Sequence, residues 1–306
     1  MTTYIIRRLG LSIFVLWGAV TIVFVAIRLA PGDPAQIMLG PSATAQEVEA
    51  LRTRLGLDQP AQVQYARYLL QVARLDLGQS LRLNQPALEA IFERVPQTAR
   101  LAAMAMLVAV ALSFPMGIAA ALRSGRAVDR TISIVSLFGQ STANFWLGIM
   151  LILVFARGLQ ILPSGGADTW QHLVLPAITL ALPLVGILTR LIRSGLLDVL
   201  REDYIRTARA KGLAPRTVMV RHALLNMLIP VVTVLGLQLG ILLGGTVIVE
   251  SVFAWPGVGR LLVEAIGNRD YPLVQAAILV ITTSFVFINL LVDLSYGYLD
   301  PRIRLQ

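Results

Sequence analysis

Long apolar runs alternate with short polar ones along this chain. Six of the apolar runs, near Leu9–Leu29, Thr98–Leu122, Ile132–Ala156, His172–Ile192, Leu224–Val249 and Pro272–Tyr296, reach helical membrane-spanning length. At the rise of an α-helix about 20 residues cross a hydrocarbon core roughly 30 Å thick, so the pattern predicts an all-α polytopic membrane protein with six transmembrane helices. The first run follows Arg7 and Arg8 as in a signal peptide. It is longer than the roughly 7–15 apolar residues of such a segment and reads as a retained anchor.

The segment Ala30–Gln97 between the first two runs carries the signals of soluble helices. Thr44 and Glu47 stand at capping-box spacing, Val48, Leu51 and Leu55 share a face, and Gly56 follows as a stop. A second helix is expected from Pro60 through Val63, Tyr65, Leu69 and Val72, ending before Gly78, and a third from Pro86 through Leu88, Ile91 and Phe92 to Val95. This predicts a small helical extracytoplasmic segment, either packing on the first crossing or contacting substrate. Residues 1–97 are thus the first crossing plus that segment, and 98–306 a five-helix core with a cytoplasmic loop near 193–223.

Composition agrees with a membrane protein: 56% of the residues are hydrophobic and 14% charged, against about 45–50% and 25% in soluble domains. The chain has no cysteine, which excludes disulfides and thiolate chemistry. Its formal charge of +9 would suggest nucleic acid in a soluble protein. Here the arginines lie between apolar runs, where anionic lipid headgroups and topology account for them. Alternate loops hold Arg7 and Arg8, then Arg123, Arg126 and Arg130, then the cluster from Arg190 to Arg221, then Arg302 and Arg304. Those loops are expected to be cytoplasmic, with both termini on that side.

Candidate chemistry is sparse. The sole lysine, Lys211, lies in Ala-Lys-Gly-Leu, so there is no Walker loop for ATP. His172 and His222 fall on opposite sides of the expected membrane, which excludes a two-histidine metal site. The string Gly139-Gln140-Ser141-Thr142 is the one protease-like feature, but neither histidine is placed to activate Ser141. Asp293 and Glu250 are the acids nearest the spans, and an ion-coupled carrier would need such groups. In the third crossing Ser133, Ser136, Gln140 and Asn144 recur at spacings of three and four. They should share a helical face that lines a water-filled path or bonds to neighbouring helices. Gly236, Gly240 and Gly244 in the fifth crossing, near Gln238, give a small-xxx-small pattern for close helix packing, expected near a partner subunit.

The basic, polar stretch "RTARAKGLAPRTVMVRHALLNMLIP" (Arg206–Pro230) lies between the fourth and fifth apolar runs. Asp203 to Lys211 can form a helix, Gly212 suits a left-handed cap, and Pro215 can open a second helix, giving a short helix-turn-helix that ends at the membrane. Ala208 and Ala210 keep the first helix thin and its arginines give it a basic collar, a shape suited to another protein's groove. On the opposite side, "ESVFAWPGVGRLLVEAIGNRDYP" (Glu250–Pro272) is expected to present Phe253 and Trp255 from a rigid turn at Pro256, Gly257 and Gly259. Such aromatics anchor at a membrane interface or face a partner. Glu250, Arg260, Glu264, Arg269 and Asp270 surround them with charge, which favours an outer gate and docking element.

The string "DYIRTARAKGL" followed by "RHALLNMLIPVVT" resembles the EAA loop of ABC-importer permeases, in the version of the dipeptide, oligopeptide and nickel family. "RLAPGDP" (Arg28–Pro34), "LGLDQP" (Leu55–Pro60), "LDLGQS" (Leu75–Ser80), "GLQLGILLGGTVIVESVFAWPGVGRLL" (Gly236–Leu262), "NRDYP" (Asn268–Pro272) and "LDPRIR" (Leu299–Arg304) continue the similarity over essentially the whole chain. "GADTWQHLVLPAITL" (Gly166–Leu180) is similar to glutathione-importing members. The resemblance implies a permease subunit forming half of a path for short peptides or a peptide-like solute such as glutathione, with nickel as the family's other solute. It implies a second homologous permease, two cytoplasmic ATPases that hold the ATP and magnesium, and an extracytoplasmic solute-binding protein. It carries the ATPase-coupling role onto Asp203, Arg206, Thr207, Ala208, Arg209, Lys211 and Gly212, with Arg221 and His222 beyond. Two departures stand out: Arg206-Thr207-Ala208 replaces the original glutamate-alanine-alanine, and Leu225 replaces the arginine usual before Asn226.

Overall fold

The computed structural model describes residues 2–29, 34–39, 43–56, 58–80 and 82–299, and helix dominates them. α1 (Thr2–Leu29) leads to three short helices, α2 (Pro34–Leu39), α3 (Ala45–Leu55) and α4 (Ala61–Ala73), then to the strands β1 (Gln79–Ser80) and β2 (Gln85–Pro86) and to α5 (Ala87–Phe92). The long α6 (Val95–Leu122) is followed by α7 (Ala127–Ser141), α8 (Asn144–Leu151) with its π-helical continuation Ile152–Gly158, and α9 (Val174–Leu200). Then come α10 (Asp203–Ala210), α11 (Pro215–Thr217), a second π-helical segment Val218–Leu224, α12 (Leu225–Val252), α13 (Val258–Gly267) and α14 (Tyr271–Leu299).

Four stretches, Ile6–Ala26, Ala87–Leu122, Trp170–Leu200 and Tyr271–Val292, are long and apolar enough to cross a membrane. Two bent pairs, Ala127–Ser141 with Asn144–Gly158 and Pro215–Leu228 with Pro230–Leu242, bring the number among the described residues to six if each pair is one span. The expected third crossing is therefore not one straight helix: α7 and α8 meet at 104°. The cause is local. Thr142 takes an extended conformation at φ −80° and ψ 129°, and its hydroxyl donates to the Phe138 carbonyl at 2.7 Å, offering the backbone an alternative to the next helical turn.

The chain divides into two compact units, one of Thr2–Thr98 with Pro256–Phe287, the other of Ala99–Trp255 with the chain from Ile288. In the first, the Thr44–Glu47 capping box is formed, and the backbone and hydroxyl hydrogen bonds from Thr44 hold the Glu47 carboxyl below its ordinary value. Gly56 ends α3 in the left-handed region at φ 67°. α4 and α5 begin where Pro60 and Pro86 predict. α4 lies on α1: Tyr65 and Thr21 share a 2.7 Å hydrogen bond, Arg28 reaches Gln64, and Phe24 stacks on Tyr68. Within the segment it is α4 that packs on the first crossing.

In the second unit α9 is the central element, with Leu175, Leu188, Ile192 and Leu196 fully buried. In lipid the solvent is as apolar as the side chains, so association rests on close packing through small residues. A Cβ on Gly117 would lie 2.6 Å from Ile192 Cγ2, and one on Gly186 would strike the Ser136 carbonyl.

Candidate functional site

The hairpin forms as its residues dictate. Gly212 takes φ +77°, its N–H donates to Arg209 O at 3.0 Å, and Leu213 N–H donates to Ala208 O at 3.3 Å, a Schellman cap that glycine satisfies without strain. Arg206, Thr207, Arg209, Ala210 and Lys211 are exposed, as is Asp203, which pairs with Arg206 at 2.6 Å. Ala208 is not part of that outward surface. With Ile205 it is buried against its own chain, so its small size sets how closely α10 lies on the body of the subunit. Tyr204 fixes the same contact through a 3.1 Å hydrogen bond donated by Asn226. Pro215 opens the second limb as expected, and this limb runs through the π-helical segment into α12. Arg221 is exposed on that segment and His222 half-buried.

The polar positions of α7 face α9. At one end Asp129 takes a bidentate pair from Arg193, at 2.5 and 2.8 Å, and the Gly125 N–H at 2.8 Å. Farther along, Ser136 is 2% exposed and Thr189 1% exposed. Ser136 Oγ, Gln140 Oε1, Asn144 Oδ1 and Thr189 Oγ1 are buried without a hydrogen-bond partner in the protein. Ser133, Ser136 and Gln140 share the α7 face as expected. Asn144 does not, because it begins α8 beyond the break. Sequence reading missed Thr189, Gly186 and the Asp129–Arg193 pair; Gly186 and Thr189 stand three apart on α9, but nothing local pairs them with α7.

The glycines of α12 separate into different environments. Gly236 packs on α14, where its Cβ would lie 2.6 Å from Val292 Cγ2; Gly240 is buried; Gly244 meets nothing within 4 Å. The tight contact is thus within the chain, and Gln238 between them is half-buried.

The turn after α12 corrects the expected exposure of its aromatics. Phe253 is 1% and Trp255 3% exposed, both within the core of the second unit. Ala254 at φ 49° reverses the chain, Trp255 N–H donates to Glu250 O at 2.8 Å, and Gly166 N–H donates to Phe253 O at 3.0 Å. Gly148 and Gly165 make the room: a Cβ on Gly148 would lie 3.0 Å from the Phe253 ring, and one on Gly165 would strike the Phe253 carbonyl. Glu250 is fully buried in this unit instead of standing in a surface ring. In the other unit Arg260 pairs with Glu264 at 2.8 Å on α13, and the buried Asp270 accepts from Ser80 Oγ at 2.5 Å.

His172 Nδ1 is occupied by Thr169, through the backbone N–H at 3.2 Å and the hydroxyl at 2.9 Å, so it caps a turn and does not serve Ser141. The side-chain surroundings of Asp293 lie outside the described residues. No group of three or more metal-ligating side chains occurs among the described residues.

Comparison with known proteins adds the following. Residues 113–305 match the family described as binding-protein-dependent transport system inner membrane component, and residues 1–102 match that system's membrane-component N-terminal family. Over 304 residues, 99% of each chain, the protein is 44% identical to the glutathione transport system permease protein GsiC of Salmonella paratyphi A. It is 43% identical over the same length to the GsiC proteins of Salmonella typhi and Escherichia coli K12.

Proposed function

Since this chain belongs to the family of inner-membrane components of binding-protein-dependent transport systems, and is a multi-pass permease subunit of an ABC importer, we propose that it forms half of a path for short peptides or a peptide-like solute such as glutathione. The full-length similarity to glutathione permeases supports that solute class. The arginine-rich loops support an orientation with both termini cytoplasmic. The other half of the path is a homologous permease, solute arrives from an extracytoplasmic binding protein, and ATP with magnesium is held by two cytoplasmic ATPases.

One observation carries the mechanism: the Schellman-capped hairpin, anchored by Ile205 and Ala208 and exposing Arg206, Thr207, Arg209 and Lys211. This is a rigid, basic knob for an ATPase groove, with α9 on one side and α12 on the other. Nucleotide-driven motion of the ATPases pushes on the knob and shifts both helices. Within the path, Ser136, Gln140, Asn144 and Thr189 are the polar lane, closed in the present state and hydrated when α7 and α9 part. The Phe253–Trp255 turn, with Glu250 beneath it, is the outer seal. Arg260, part-exposed on α13, belongs to the rim that meets the binding protein, and the buried Asp270 braces that rim from below through Ser80.

Gly212→Val tests the mechanism, because a β-branched residue resists positive φ. Uptake of labelled glutathione and of dipeptides should fall at least about tenfold, with membrane insertion unchanged and ATPase co-purification weakened. Normal uptake with normal ATPase association would reduce the hairpin to a topological loop. Parent vesicles that import neither solute would overturn the solute class alone.

A further inference from the structure

One cavity of the Ala99–Trp255 unit has no part in that mechanism. It is an open cleft of about 460 Å³ between α7, α9 and α12. Ser133, Arg190 and Ser194 give it hydroxyl and guanidinium groups, Ile187, Leu191 and Val234 give it an apolar side, and Arg193 completes the wall. The α9 residues fall at successive spacings of three and four, one stripe about 10 Å long. Along it the lining runs from Ile187, through Arg190 and Leu191 at one level, to Ser194.

Charge decides what fits. Arg193 is neutralised by its bidentate pair with Asp129. Arg190 is exposed and pairs with no acid among the described residues. The cavity therefore presents one net positive charge, and a guanidinium is a donor fork matched to phosphate oxygens. The Ser133 hydroxyl donates to Asp129 Oδ1 at 3.5 Å and the Ser194 hydroxyl to the Arg190 carbonyl at 3.0 Å, so both serines only add polarity to the wall. A small free anion would use the polar groups and leave Ile187, Leu191 and Val234 facing water. A glycerophospholipid uses both halves, its phosphate on Arg190 and its acyl chain against the apolar side. A zwitterionic headgroup would bring a second cation beside Arg190, so the single charge favours an anionic lipid.

We propose that this cavity is a binding site for an anionic glycerophospholipid, its phosphate held by Arg190 and its acyl chain by Ile187, Leu191 and Val234. The site lies on the stretch of α9 that precedes its last turns before the hairpin, so a bound lipid braces α9 against α7 and α12. The inference rests on the membrane reading; the leaflet follows the orientation proposed above, and the binding itself does not depend on which solute is carried.

The test is retention of phosphatidylglycerol by the purified full-length permease, or its complex, in mild detergent, read by native mass spectrometry. The parent should retain one tightly held phosphatidylglycerol in preference to phosphatidylethanolamine. Arg190→Gln should lower that retention about tenfold, the scale of one charge-assisted contact. Arg190→Lys should keep part of it, and Arg123→Gln, at an exposed arginine outside the cavity, should keep all of it. Equal retention by parent and Arg190→Gln, each eluting as a single monodisperse species, overturns the site. Displacement of the lipid by glycerol 3-phosphate at equal concentration would show a free-anion site, and displacement by glutathione a solute site; either overturns the lipid assignment.

Discussion

Around Asp270 the buried polar groups are paired: Ser80 Oγ donates to Oδ2 at 2.5 Å, Leu273 N–H to Oδ1 at 3.3 Å, and nearby Val258 N–H donates to Thr98 Oγ1 at 2.9 Å. Between α7 and α9 the pairing stops after Asp129 and Arg193. Ser136, Gln140, Asn144 and Thr189 then each bury an atom with no protein partner. A buried group left unpaired costs about 1–3 kcal/mol, whereas a paired one contributes roughly 0.5–1.5 kcal/mol. The first region is therefore held shut by its polar groups. The second is held shut against them, by backbone approach at Gly186 and the ion pair at its end, and water entering on opening would recover part of the cost.

Substitutions can break this contrast. The largest effect is expected at Gly186, where any Cβ meets the Ser136 carbonyl. Gly186→Leu should wedge α7 from α9, lower stability by about 1–3 kcal/mol and abolish uptake, measured by thermal unfolding and vesicle transport. Next, Asp270→Ala strips Ser80 of its acceptor and should lower the unfolding midpoint by the equivalent of about 1–3 kcal/mol. An unchanged midpoint would mean that the paired region is not what holds its unit. The sharper test is the double change Ser136→Ala with Thr189→Val. Removing two unpaired hydroxyls should leave stability equal or raise it by about 1 kcal/mol, while uptake falls several-fold because the lane no longer hydrates. A loss of stability would show that those hydroxyls are paired after all. The smallest effect belongs to the outer capping box: Thr44→Ala should cost about 0.5–1 kcal/mol, seen as faster amide exchange confined to α3. Because Glu47 is held below its ordinary value, its share of the cap is present above the ordinary carboxylate range and fades as the pH falls below it.

What could be read from the sequence follows the same division. Features set by one residue and its near neighbours were legible: the Thr44–Glu47 box, the left-handed stops at Gly56 and Gly212, the starts at Pro60, Pro86 and Pro215, and the apolar length of the spans. Features set by distant partners were not. Phe253 and Trp255 read as surface aromatics because Gly148 and Gly165, which make room for Phe253, lie about a hundred residues earlier. Ala208 read as a partner-facing residue because the surface that buries it is its own chain's. The break at Thr142 was hidden by an unbroken polar rhythm from Ser133 to Asn144, since periodicity records spacing but not the competition of a hydroxyl for a carbonyl.

The two limbs leaving the hairpin are not mechanically equivalent. α9 joins it through the two-residue turn Arg201–Glu202 after α-helical turns that run without a further proline from Pro183 to Leu200, while α12 joins it through the π-helical turns of Val218–Leu224. A regular helix behaves as a stiff rod that carries thrust along its axis. A π-helical insert is wider, less favourably bonded and a site where helices change direction, so it yields to torque before its neighbours do. A thrust on the knob should thus arrive at α9 largely as axial displacement and at α12 largely as rotation. The subunit would respond as a lever with one rigid arm and one torsion joint, turning the α12 face while the α9 core keeps its register.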